Sequence, residues 1–283
     1  DKAYRVREDW EDKRPTIERL KDLLALSGAE QLDTLLIGAW TSAGEGNTPV
    51  PIYELLAASA DRLPSLKHLF LGEMTYEESE LSWIVQADVS PVLKAFPQLE
   101  SLRVRGGEVL EFSQIRHEGL KELAVETGGL RQQTIRQILR CEFPNLERLD
   151  LLLGEDNYGF DAEPSDFVPL LTGDLHPKLR RLGLMNSEIA NDLAALVVNA
   201  PIVAKIETLD LSMGNLDNTG ARSLMQLPAN SIIKTIDLSH HYITQDVVDE
   251  LRASPELSGV EIIIENSQLD QAEEDWRPIL HAE

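Results

Sequence analysis

Two aspartates one repeat apart, Asp210 and Asp237, are the residues of this chain whose type and spacing come nearest to catalytic chemistry. Carboxylates on adjacent strands could share a proton, hold a cation or act as an acid/base pair. His240 and His241 follow closely and could add imidazole ligands beside Asp237. Each feature also has a plain structural reading. Both aspartates stand in a repeated apolar-Asp-Leu-Ser unit, and adjacent histidines point in different directions, as in a hydrogen-bonded turn. The single cysteine, Cys141, follows an apolar helical stretch and fits an inert buried thiol. Gly44-Glu45-Gly46-Asn47 has two glycines without a dinucleotide fingerprint and reads as a loop. Phosphate loops, His-Glu-x-x-His and Gly-x-Ser-x-Gly are absent from the sequence. The expectation is a non-enzyme with no catalytic residue, cofactor or metal, and a site on Asp210, Asp237 and His240 is its rival.

Composition narrows the partners. Acidic residues number 49 against 26 basic, a formal charge of −23 that repels phosphate backbones and anionic lipid, so neither nucleic acid nor membrane is expected. With 42% hydrophobic residues in 283, this charge must decorate a folded surface. One cysteine excludes an internal disulfide framework. The charged start, Asp1 to Trp10, lacks a signal-peptide core, and the most apolar stretch, Leu193 to Ile206, is interrupted by Asn199 and Pro201. A cytoplasmic setting is expected. The missing initial methionine leaves a second alternative, a binding fragment of a longer protein.

The elements that would position any site come from a repeat. The pattern apolar-x-x-apolar-x-apolar starts at Leu32, Leu66, Leu99, Leu120, Leu146, Leu179, Ile206, Ile233 and, more weakly, Gly259. Each copy has the alternation of a strand with one buried face, and most are followed by helical spacing, as in Leu193-Leu196-Val197. Such a unit cannot bury its apolar face alone, but stacked copies can. The prediction is a single α/β solenoid with about nine strands in a curved parallel sheet and helices on the convex side.

The stretch Ile206-Glu207-Thr208-Leu209-Asp210-Leu211-Ser212, echoed by Ile236-Asp237-Leu238-Ser239, resembles the leucine-rich repeat proteins, in particular the ribonuclease-inhibitor-like subclass. Uneven repeat lengths make it similar to irregular bacterial cytoplasmic members, and the resemblance implies an interaction scaffold. The Asn usual after each strand is replaced by Trp40, Met74, Gly107, Gly128, Gly154, Ser187, Gly214, His241 and Ser267, so the expected ladder between turns is missing. Residues 1–31 are expected to form an N-terminal cap with a helix over Pro15 to Leu26. Residues 32–269 form the repeats, and 270–283, with Trp276, Ile279 and Leu280, form a C-terminal cap. Capped ends favour a monomer.

Alternation also assigns the concave ladders. Leu36, Trp40, His68 and Phe70 make one end apolar and aromatic, Arg103, Arg105, Arg148 and Arg181 make a basic middle, and Asp210, Asp237, Glu261 and Glu265 an acidic end. Arginine and aromatics dominate binding hot spots, so a protein or peptide partner is expected there. The arginines could instead pair with Glu122, Glu126 and Asp150 within the sheet. The acidic segment Gly154 to Pro164, carrying Tyr158 and Phe160, could project for recognition or fold back on the core. The expected contact residues are Trp40, His68, Phe70, Arg103, Arg105, Arg148, Asp150, Arg181, Tyr158 and Phe160.

Overall fold

Alternating apolar residues become ten parallel strands in one open sheet, ordered as they occur along the chain. They are β1 (Ala3–Val6), β2 (Thr34–Ile37), β3 (His68–Leu71), β4 (Ser101–Arg105), β5 (Glu122–Glu126), β6 (Arg148–Gly154), β7 (Arg181–Ser187), β8 (Thr208–Asp210), β9 (Thr235–Asp237) and β10 (Glu261–Ile263). The helices are α1 (Thr16–Ala25), α2 (Val50–Ala58), α3 (Ser90–Ala95), α4 (Gln132–Ile138), α5 (Val168–Leu171), α6 (Ala190–Val198), α7 (Asn218–Leu224) and α8 (Gln245–Ala253). A computed structural model describes residues 3–8, 11–12, 14–40, 48–272 and 277–281. Gly44 to Asn47 and Trp276 lie outside the described residues.

The core lies between sheet and helices. Leu35, Ile37, Leu123, Val125, Leu149, Leu151, Leu182, Leu184 and Leu209 are fully buried on the sheet side. Ile135, Ile138, Leu193, Val197, Leu224 and Val247 meet them from the helices. Each such side chain contributes roughly 1.5–3 kcal/mol relative to exposure. No helix lies between β4 and β5, and this connection is the shortest repeat, from Leu99 to Leu120.

A second regularity fixes the stacking. From the first repeat to the seventh, the carbonyl of the residue after the first apolar position accepts two backbone N–H groups from the next strand's start, and in the eighth Lys234 accepts only that of Glu261. Asp33 takes those of Lys67 and His68, Lys67 those of Glu100 and Ser101, and Glu147 those of Arg180 and Arg181. The side chains of this column, Asp33, Lys67, Glu100, Lys121, Glu147, Arg180, Glu207 and Lys234, alternate in sign without exception. Glu100 bridges Lys67 at 2.8 Å and Lys121 at 2.7 Å, and Lys234 reaches Glu207 at 2.6 Å.

Three expectations need correction. Residues 3–6 are not part of a cap but a further strand, parallel to β2, and α1 is its crossover helix. The ladder between turns exists in the C-terminal repeats but is displaced to the helix starts. Asn191 Oδ1 accepts the N–H of Asp217 (3.0 Å) and Gly220 (2.9 Å), and Asn218 Oδ1 that of Thr244 (2.9 Å). Finally, residues 277–281 do not cover the last repeat. They run back as a strap across the repeats of β7–β9, because the loops there offer partners. Leu280 N–H donates to Met213 O at 2.8 Å, and Tyr242 Oη donates to Pro278 O at 2.7 Å. Asn186 pairs both ways with the His281 backbone, at 2.7 and 2.9 Å. Ile279 is buried under the strap and Leu280 is exposed.

Candidate functional site

Register places the basic middle on the face opposite the helices. Arg103 stands across from Ala124, and Ala124 from Asp150. Arg105 stands across from Glu126, and Arg148 from Arg181. The small Ala124 between larger neighbours leaves a hollow of about 350 Å³ at this point. Its floor is Ala124, Glu126, Asp150 and Leu152; Met74, Tyr76 and Leu81 form one wall, and Met185, Met213 and His281 the other. Three of the chain's four methionines therefore line one site, a soft apolar surface able to fit varied side chains.

The arginines do pair within the sheet. Glu126, almost buried, lies 3.1 Å from Arg103 Nε as an ion pair and accepts a hydrogen bond from Arg105 Nε at 2.7 Å. Arg105 also donates to Met74 O at 2.7 Å. Both guanidiniums lie over the Phe70 ring, at 5.4 and 5.3 Å from its centroid, a geometry worth roughly 0.5–1 kcal/mol where exposed. Asp150 is 4% exposed and lies between Arg148 Nη2 (2.5 Å) and Arg181 Nε (3.2 Å). Arg181 extends the network to Asp210 at 2.5 Å. Burial works against the Arg181 charge, but Asp150 and Asp210 outweigh it and raise its pKa above the ordinary arginine value. Arg103 and Arg148 keep 46% and 42% of their side chains exposed, so they alone of these four combine a fixed base with a substantially open head.

Other expected contacts lie elsewhere. Phe160 is 3% exposed and belongs to the core, so it presents no surface to a partner. The acidic segment folds back because glycines permit it. A Cβ on Gly129 would stand 2.1 Å from Tyr158 O, and one on Gly154 only 1.8 Å from Gly128 O. Tyr158 is half-buried at that contact. Trp40 is half-buried against Met74, Ala39 and Ile84 and borders a small separate hollow with Pro15, Thr16 and Ile52, away from Phe70. His68 is exposed on β3, and Asp150 is held under its arginines rather than offered outward.

The rival carboxylates serve the backbone. Asp210 Oδ1 accepts Ser212 N–H at 3.0 Å and Asp237 Oδ1 accepts Ser239 N–H at 2.9 Å, the same turn in successive repeats. His241 Nδ1 accepts Ile243 N–H at 3.0 Å, which fixes a neutral ring. Among the described residues, no group of three or more His, Cys, Asp and Glu side chains could hold a metal ion. Cys141 is buried with its pKa raised by burial, and its thiol faces the carbonyls of Gln137 and Ser113. No described helix is long and apolar enough to cross a membrane.

Two exposed aromatics in the connection from β3 to α3 escape periodicity. Tyr76 is 67% exposed and Trp83 71%, the latter two residues after the wall residue Leu81. Val109, at a positive φ of 57° and exposed, lies on the neighbouring loop that bridges Val85 through Glu108. A β-branched residue in that conformation is strained, a state that clusters at binding and switch regions. The only sequence signal was composition, aromatics inside a polar loop.

Among solved structures, the chain is similar to a Bacteroides fragilis protein determined as a structural genomics target. The two share 28% identity and a TM-score of 0.85, over 99% of this chain and 77% of that one. No protein-family model matches the chain. No curated protein matches it either.

Proposed function

We propose that this chain is an irregular leucine-rich repeat solenoid acting as a non-catalytic, monomeric protein-interaction scaffold of the cytoplasm, with a protein or peptide bound on its concave face. The observation that carries the reading is an arginine-lined hollow with the exposed Tyr76 in its lining and the exposed Trp83 two residues after the lining residue Leu81. Trp, Tyr and Arg supply most binding hot spots. Arg103 and Arg148 give the charged contacts, and Tyr76, Trp83 and the methionine walls the apolar ones. The paired carboxylates hold the arginines in place, so less conformational freedom is lost on binding.

The test is affinity capture with three baits: the natural chain, Arg103→Ala/Arg148→Ala, and Arg222→Ala on the convex helix α7. A protein held by the first and third baits and lost from the second, at unchanged melting temperature, is the expected result. Equal capture by all three would move the contact off this face.

A further inference from the structure

We propose that the hollow over Ala124 is a carboxylate-recognition site, taking an Asp or Glu side chain of an extended partner peptide between Arg103 and Arg148, with the adjoining apolar residue of that peptide against Met74, Met185 and Met213. This rests on the reading of the concave face as the interaction surface and names the chemistry of its ligand.

Charge argues first. The hollow is lined by three guanidiniums, of Arg103, Arg105 and Arg148, against two carboxylates, of Glu126 and Asp150. One positive charge is left over in a chain of −23. A single carboxylate balances it. A phosphate monoester, at about −1.5 to −2 near neutral pH, would overshoot beside two acidic groups that are themselves nearly buried.

Donor geometry argues second. Arg103 meets Glu126 as an ion pair, Nε to Oε1 at 3.1 Å, and none of its nitrogens donates a well-formed hydrogen bond among the described residues. Arg148 places Nε and Nη2 on one oxygen of Asp150, with Nη1 left over. A guanidinium has five donors in a fixed plane and suits a carboxylate better than any other side chain does. The strands carrying Arg103 and Arg148 flank β5 about 10 Å apart, and the two arginines are offset by two residues along them, since Ala124 stands level with Arg103 and Glu122 with Arg148. Both arginines line the same hollow and can reach one anion in it.

The strap argues for an extended peptide. Residues 277–281 already lie on this end of the sheet as an extended chain, held through Met213 O and the Asn186 amide. His281 at its end forms the wall of the hollow. The fold thus holds main chain along this lane, and the hollow prolongs the lane toward β4.

The experiment is fluorescence anisotropy with the whole chain and three capped, labelled tetrapeptides: Glu-Leu-Glu-Leu, its glutamine analogue and its phosphoserine analogue. The carboxylate peptide should bind about tenfold or more tighter than either analogue. Arg103→Gln and Arg148→Gln should each weaken it several-fold, and Ala124→Leu should abolish it, all at melting temperatures that show retained fold. Equal affinity for the glutamine analogue, tighter binding of the phosphoserine peptide, or no binding at about 1 mM overturns the assignment. If the arginine pair still governs capture of a protein that this peptide cannot displace, the interaction surface stands and the carboxylate assignment fails. If capture survives loss of the pair, the surface reading itself falls.

Discussion

At the scale of single residues, the most consequential group outside the site is His176. Its ring is 2% exposed and stacks on Phe143 with centroids 6.0 Å apart. Neither ring nitrogen makes a well-formed hydrogen bond among the described residues. Burial lowers its pKa to about 4, against a slight opposing pull from the Phe143 backbone. Unfolded, the ring titrates near 6.5. The unfolded chain therefore binds the extra proton first, so the contribution is whole above pH 6.5 and is lost as pH falls toward 4. A depression of this size corresponds to roughly 3 kcal/mol. Replacing His176 with Phe keeps the stacked ring and removes the titration. Urea unfolding at pH 7 and pH 4.5 should show the natural chain losing about 2–3 kcal/mol more than His176→Phe over that interval. Equal losses would mean the ring is hydrated in the folded state.

At the scale of elements, two devices hold the repeats in register. The alternating charge column predicts that Glu100→Lys, which sets three lysines in succession, lowers the melting temperature. The two ammoniums hold the Glu100 carboxyl down at about 2, so the favourable sign of the pairing is clear. Because these side chains are partly solvated, the deficit should shrink at about 1 M salt. A salt-independent deficit would assign it to packing. The strap is the second device. Asn186 sits at φ 51°, so Asn186→Gly deletes its amide without adding backbone strain. Losing two hydrogen bonds to His281 should cost about 2 kcal/mol locally. Amide exchange at Leu280 and His281 should quicken while β7 stays protected. The charge column is legible in the sequence, since its signs alternate at a fixed place in the first eight repeats and stop at Val260 in the ninth. The strap was not: Asn186 and His281 are far apart in sequence, and their bonds use the backbone of one partner. β1 was hidden for another reason. Only Val6 of Ala3–Val6 is buried, so no alternation announces the strand. Where both faces of a strand have a defined environment, as in Leu149-Asp150-Leu151, period two identified the concave residues and their neighbours. Tyr76 and Trp83 lie in connections where no period operates.

At the scale of the whole molecule, stability should vary along the solenoid, because each repeat touches only its neighbours. The strands of the middle are the longest: Arg148–Gly154 and Arg181–Ser187 each span 7 residues, against 3 in β8, β9 and β10. The residues of β10 are only partly covered, and its neighbour Gly259 stands where the other repeats place a buried apolar residue. Local opening free energy follows such differences in buried contact and paired backbone. Hydrogen exchange should therefore find the slowest amides in β6 and β7 and progressively faster ones toward β10. The strap would produce a step in that gradient between β9 and β10, because it ties β7, β8 and β9 together and leaves the last strand outside. In Asn186→Gly the step should soften into a slope while the β6 and β7 amides keep their rates. Uniform protection from β2 to β10 would instead mean that the solenoid opens as one unit. The arginine hollow would then owe its rigidity to global folding rather than to its place in the most stable repeats.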